Sequence, residues 1–235
     1  MTDEPEIIDP GSLVEEAADL HNMPGQDRLR AVALGVAASF PVIGGVLSEV
    51  LGNEVGAARD RRLLDVLDKM AAAIEKLSAV LDAHLADDTF TETVEIAMEE
   101  AVRASEEAKR AAYAAIIVNS LTPGRPNEEE RLFFLDVVVR SRTLHLHLLQ
   151  VVLGVTEVPE GFYMGSAKSV LLPRLPGVDA NLVGLAWNDL SRWGFLNPDW
   201  GGVGATGTNQ VSILNNYVTP LGRRFVGFVT VPEEE

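Results

Sequence analysis

The stretch Val178–Trp200 reads VDANLVGLAWNDLSRWGFLNPDW, and its reading decides the second half of the chain. Asp179 precedes an apolar helical pattern, where a carboxylate accepts hydrogen bonds from the orphan N–H groups of a first turn. Leu182, Leu185, Ala186, Leu190 and Trp193 recur at steps of three, one, four and three. That spacing sets them on one helix face aimed at a core. Gly194 stands where a left-handed C-terminal cap is wanted. Phe195 and Leu196 begin an extended run, which Asn197-Pro198-Asp199 turns. Farther on, Asn215–Val229 reads NNYVTPLGRRFVGFV. Val211, Ile213, Tyr217 and Val218 read as a returning strand. Thr219-Pro220 opens a helix, with threonine as N-cap and proline at the first position, where its missing N–H costs nothing. Leu221, Phe225 and Phe228 face inward from it. Helix, strand, loose tip, returning strand and closing helix is the order of the second half of a winged helix.

Between the two strands, Gly202, Gly204 and Gly207 spell G-x-G-x-x-G. That pattern signals a dinucleotide site only when a strand precedes it and a helix follows it in a parallel βαβ unit. Here Thr208–Ser212 reads as strand, so the glycines read as the tip of a wing. The phrase TPLGRRF resembles the end of the winged-helix domains of small bacterial regulators. A helix that reads DNA offers Arg, Lys, Asn or Gln to base edges. The solvent side expected here holds Asn181, Gly184, Asn188, Ser191 and Arg192, with Asp189 beside them. Arg223 and Arg224 follow on the closing helix. Asn181, Asn188, Arg192, Arg223 and Arg224 are therefore the candidate nucleic-acid or partner contacts. Arg192 is the one cation on the first helix, and phosphate neutralisation supplies most non-specific affinity. DNA is thus the less favoured partner, and a protein the more favoured one.

The charge supports that order. The chain has 235 residues and a formal charge of −16. Before Arg131 stand 26 Asp/Glu and 11 Lys/Arg, against 9 and 8 from there on. An acidic half repels nucleic acid and anionic membranes. A hydrophobic content of 47% is that of a globular protein. With no cysteine, disulfides, thiolate catalysis and cysteine zinc sites are excluded, which fits a cytoplasmic protein. Residues 1–10 are acidic, unlike a secretory leader, and read as a disordered tail.

Residues 11–122 read as a helical bundle. Ser12–Leu20 forms a short amphipathic helix with a capping box at Ser12 and Glu15. Ala31–Ser48, AVALGVAASFPVIGGVLS, carries no charge and approaches the length of a membrane span. Pro41 and Gly44-Gly45 interrupt it, so two short buried helices are the main expectation and a membrane-inserting hairpin the alternative. From Arg59 to about Ala86, Leu63, Leu67, Met70, Ile74, Leu77 and Leu81 form a four-three stripe. That is the seam of a bundle or coiled coil, and it makes a homodimer through the bundle plausible. His84 extends the row, as an edge histidine rather than a metal ligand. A helix from about Thr91 to Leu121 follows, with Val94, Met98, Ala101, Val102, Ala108, Ala112, Ala115 and Ile116 inward. A di-metal bundle wants Glu-x-x-His pairs, and these helices have none.

Thr122-Pro123-Gly124-Arg125-Pro126 marks the domain boundary. Beyond it, residues 127–231 read as the winged-helix domain. Its first helix runs from Glu128 to about Leu153, with Leu132, Leu135, Val139, Leu144, Leu148 and Val151 inward. His145 and His147 stand on different helix faces and cannot share a metal. A short helix lies near Ser166–Leu172. The expected fold is mainly α: an N-terminal helical bundle followed by a C-terminal winged-helix (α+β) domain.

The segments EEAKRAAYAAIIVNSL, LFFLDVVVRSRTLHLHLL, DLSRWGFL and YVTPLGRRFV, in this order, resemble the Abi-alpha (abortive-infection alpha) family of bacteria and their prophages. The resemblance runs from about Thr89 to Val229. The acidic first half and the long glycine-rich tip depart from that pattern. The resemblance implies a phage-defence or prophage-immunity role, such as superinfection exclusion, and supplies no catalytic residues. No Ser–His–Asp set, metal cluster or phosphate loop is recognisable in the sequence, so the expectation is a non-enzyme that needs no cofactor or metal and works through protein contacts. The alternatives are a DNA-binding regulator and a membrane-acting effector through residues 31–48.

Overall fold

The computed structural model describes residues 57–77, 80–81, 88–155, 166–197 and 217–231. These residues form two compact units. One runs to Leu135 and is rejoined by the chain from Val229, and the other runs from Asp136 to Phe228. The acidic tail, the Ser12–Leu20 helix, the Ala31–Ser48 stretch, His84, the glycine patch and the strand expected at Val211–Ile213 lie outside the described residues.

In the first unit, α1 (Ala57–Leu77), α2 (Asp88–Arg103) and α3 (Glu107–Asn119) pack against one another. α1 buries Leu63, Val66, Leu67, Met70 and Ala73, a single stripe of helical period. α2 buries Phe90, Val94, Ala97, Met98, Ala101 and Val102. Thr93 is also buried, and its hydroxyl donates to Thr89 O at 2.7 Å, so no polar group is stranded. From Ala112 to Asn119, α3 is buried on every side. A helix wrapped in this way is the centre of its unit. Its alanines let neighbours approach closely, and burial pushes the Tyr113 phenol well above its ordinary pKa.

The helix expected from Thr91 to Leu121 is two helices. Between them, Glu106 is extended at φ −85, ψ 121. The break exposes carbonyls, and two arginines satisfy them. Arg110 Nη1 donates to Ala104 O at 3.0 Å and Ser105 O at 2.9 Å. Arg62, on α1, donates to Arg103 O at 3.2 Å. Arg110 also pairs with Asp65 through Nε, and Lys69 joins Asp65 at 3.0 Å and Glu107 at 3.1 Å. Charges from α1 and α3 thus close the gap that α2 leaves.

The helix expected from Glu128 to Leu153 is also two, α4 (Glu128–Arg140) and α5 (Thr143–Leu153). The units part inside α4, and Thr122–Pro126 forms a turn ahead of it. Asn127 caps α4 by accepting the Glu130 N–H at 2.9 Å. After the break, a short α6 (Ala167–Leu171) runs into a 3-10 turn at Leu172–Arg174. Then come α7 (Ala180–Arg192), packed against α5, and α8 (Pro220–Val229).

Among the described residues, the C-terminal part does not form the expected winged helix. Among the described residues there is no strand and no sheet, only an isolated antiparallel bridge between Leu196 and Val218. Asn197 N donates to Tyr217 O at 2.8 Å, and Thr219 N to Phe195 O at 3.0 Å. Tyr217, expected in the returning strand, has helical backbone. The physical reason lies in the flanks. Gly194 turns the chain just before the bridge, and Pro220 starts α8 just after it. Proline also lacks the N–H a ladder needs, and Pro198 follows directly on Asn197. The fold of the described residues is helical throughout both units.

Candidate protein-contact face

The second unit is organised around α7, and its ends are set by local chemistry. Asp179 Oδ1 accepts the N–H groups of Asn181 at 2.7 Å and Leu182 at 3.2 Å, which fixes the first turn. At the other end, Gly194 takes φ +79. Phe195 N reaches Leu190 O at 2.9 Å, and Gly194 N reaches Ser191 O at 3.0 Å. This is the paired 6→1 and 5→2 closure that a left-handed glycine permits.

One side of α7 is buried by Val183, Ala186, Trp187 and Leu190. Trp187 meets Tyr217 edge-on, with ring centroids 5.5 Å apart. Phe195 and Phe225 stack at 4.4 Å. That packing seats α8, whose first turn is held by Thr219. Its hydroxyl donates to Gly194 O at 2.6 Å and accepts the Gly222 N–H at 3.0 Å.

α7 also meets α5 through His145, which is 8% exposed. His145 Nδ1 accepts the Arg142 N–H at 2.9 Å and so caps α5. That bond leaves the ring proton of neutral imidazole on Nε2, which faces Asp189 Oδ2 at 3.5 Å. The Trp193 ring lies 5.3 Å from the imidazole. This set orients helices. His147, by contrast, is exposed on α5. Among the described residues, no group of three or more His, Asp or Glu is placed to hold a metal ion. Among them, too, no helix is long and apolar enough to cross a membrane.

The other side of α7 is the feature the sequence pattern mislaid. Leu182 is 53% exposed and Leu185 is 59% exposed, although both were expected in the core. Asn181 and Asn188 are exposed beside them. Arg192 is exposed at the end of the same side, 3.5 Å from Asp189. The structure therefore brings Asn181, Asn188 and Arg192 onto one outward face with two leucines between them. Arg223 and Arg224 are exposed on a different element, α8. The two exposed leucines stand three residues apart with polar side chains on either flank. Leucine is not a base-reading residue, and the single α7 arginine already has a carboxylate neighbour. Comparison with models of known protein families, with curated proteins and with solved structures finds no match.

Proposed function

We propose that this chain is a non-enzymatic phage-defence or prophage-immunity protein that works by protein–protein contact, made through the outer face of α7. The observation that carries the reading is the exposure of Leu182 and Leu185 on a helix whose inner face is already filled by Val183, Ala186, Trp187 and Leu190. Scattered exposed leucines are ordinary. Two on one face, one turn apart and framed by Asn181, Asn188 and Arg192, are the footprint of a contact. The resemblance of Thr89–Val229 to the Abi-alpha family supports the defence role. Burying a leucine side chain is worth about 1.5 kcal/mol or more, so each contributes roughly tenfold in affinity.

The test is plating. Bacteria making the wild-type chain are challenged with a panel of phages, alongside bacteria making the Leu182→Gln/Leu185→Gln variant. The expected result is fewer plaques with the wild type for at least one phage, and loss of that protection in the variant at equal protein level. A variant that protects as well as the wild type, or a wild type that protects against none of the panel, contradicts the reading.

A further inference from the structure

We propose that His145 is a pH-sensitive latch: neutral, its ring closes the first turn of α5, and protonated, it releases that turn and bonds to Asp189 of α7. The ring is buried between the two helices, and each of its nitrogens has its own partner. Nδ1 accepts the Arg142 N–H at 2.9 Å, while the His145 N–H donates to Arg142 O at 2.9 Å. This reciprocal pair closes the start of α5 as a glutamine at the third helical position closes a capping box. A glutamine oxygen remains an acceptor at every pH. An imidazole does not, because both nitrogens of the charged ring are donors. Protonation would therefore set Nδ1–H against the Arg142 N–H, donor against donor. It would also put a positive charge in the first turn of a helix, the end where the helix dipole disfavours cations.

The other side of the ring is built for the charge. Nε2 faces Asp189 Oδ2 at 3.5 Å, and a carboxylate binds an imidazolium more strongly than a neutral ring. The Trp193 ring, 5.3 Å away, is within reach of a cation–π contact. Arg192 meets the second oxygen, Asp189 Oδ1, at 3.5 Å, so one carboxylate serves two cations once the ring is charged. On α5 itself, His147 is exposed, and the neighbouring Arg142 is exposed as well. Asp189 is half-exposed, which gives protons a way to the buried ring. Imidazole is the side chain that changes charge between about pH 5 and pH 8, so acidification moves the bond from α5 to α7. Neither state depends on what the outer face of α7 meets.

The test is an NMR titration of the full chain from about pH 8 to about pH 5, in the wild type, His145→Gln and His147→Gln. Glutamine at 145 offers Arg142 an acceptor that no proton can occupy, and His147 is the exposed control on the same helix. In the wild type and in His147→Gln, the Arg142 amide proton moves upfield as it leaves its hydrogen bond, with the midpoint of the His145 ring signals. In His145→Gln it stays in place. The proposal is overturned by a His145 ring that keeps one charge state across the range. An Arg142 amide that stays still or moves downfield while that ring titrates overturns it too, as does equal movement in His145→Gln. If His145→Gln does not fold, the wild type and His147→Gln decide by the same shift.

Discussion

At the scale of single residues, two glycines of α8 test the packing with opposite signs. A Cβ added at Gly222 would lie 2.4 Å from Phe195 O, a backbone atom that cannot swing aside. The close approach lets the Phe195 ring stack on Phe225. Gly222→Ala should destabilise by about 1–3 kcal/mol, as overpacking does. Nothing lies within 4 Å of a Cβ at Gly227, which is exposed in the same helix. Gly227→Ala should stabilise by roughly 0.5–1 kcal/mol, since alanine loses less backbone entropy. Urea midpoints check both, and a shift in the same direction for the two variants would contradict the placement of α8. Several residues declared their role in the sequence: Asp179, Gly194 and Thr219-Pro220 are caps whose chemistry is local. His145 did not, because a histidine that caps a helix looks like any other until the Arg142 N–H is beside it.

At the scale of elements, the first long helix broke where arginine side chains meet the freed carbonyls. The carbonyls freed at Ala104 and Ser105 are met by Arg110, and those of Val102 and Arg103 by Arg62 from α1. The Arg62 contacts join residues 40 and 41 positions apart, beyond any local reading of the sequence. The buried side keeps steps of three and four across the break, through Arg131, Phe134, Val138, Ser141, His145, Leu148 and Val152, and three of these residues are polar. A single row drawn through Glu128–Leu153 therefore mixed residues such as Leu135 and Leu148, which are buried, with Leu132, Val139, Leu144 and Val151, which are half-exposed. The ion pairs at the first break carry a pH signature. Burial alone would raise the Asp65 carboxyl, but hydrogen bonds from Arg110 and Lys69 outweigh it and hold it below its ordinary value of 3.8. Burial alone would lower Lys69, and its bonds to Asp65 and Glu107 raise it instead. A carboxyl depressed in the folded state contributes stability above its unfolded pKa, and that stability is lost as pH falls through the folded value. Asp65→Asn should thus cost on the order of 1 kcal/mol at neutral pH, and progressively less below about pH 4. Urea unfolding of both proteins at each pH checks this. A cost that is the same at pH 3 and pH 7 would contradict the assignment.

At the scale of the whole molecule, the uneven charge was legible from the start, because charge is counted rather than folded. The sheet was not. A helix, a glycine cap, two apolar residues, a turn and a Thr-Pro helix start are all present. Yet the pairing they announce amounts to one bridge between Leu196 and Val218 among the described residues. Most consequential is which side of α7 faces in. Apolar residues occupy both sides, and spacing alone chose the row through Leu182 and Leu185. The bulk of Trp187, packed on Tyr217, chose the other. The proposed contact face depends on that choice. It is tested most directly by the unfolding free energy of the Leu182→Gln/Leu185→Gln variant, measured in urea at low protein concentration. If the two leucines face outward for contact, the value stays within about 0.5 kcal/mol of the wild type. If they are core residues, it falls by roughly 4 kcal/mol or more, and the proposed contact face does not exist.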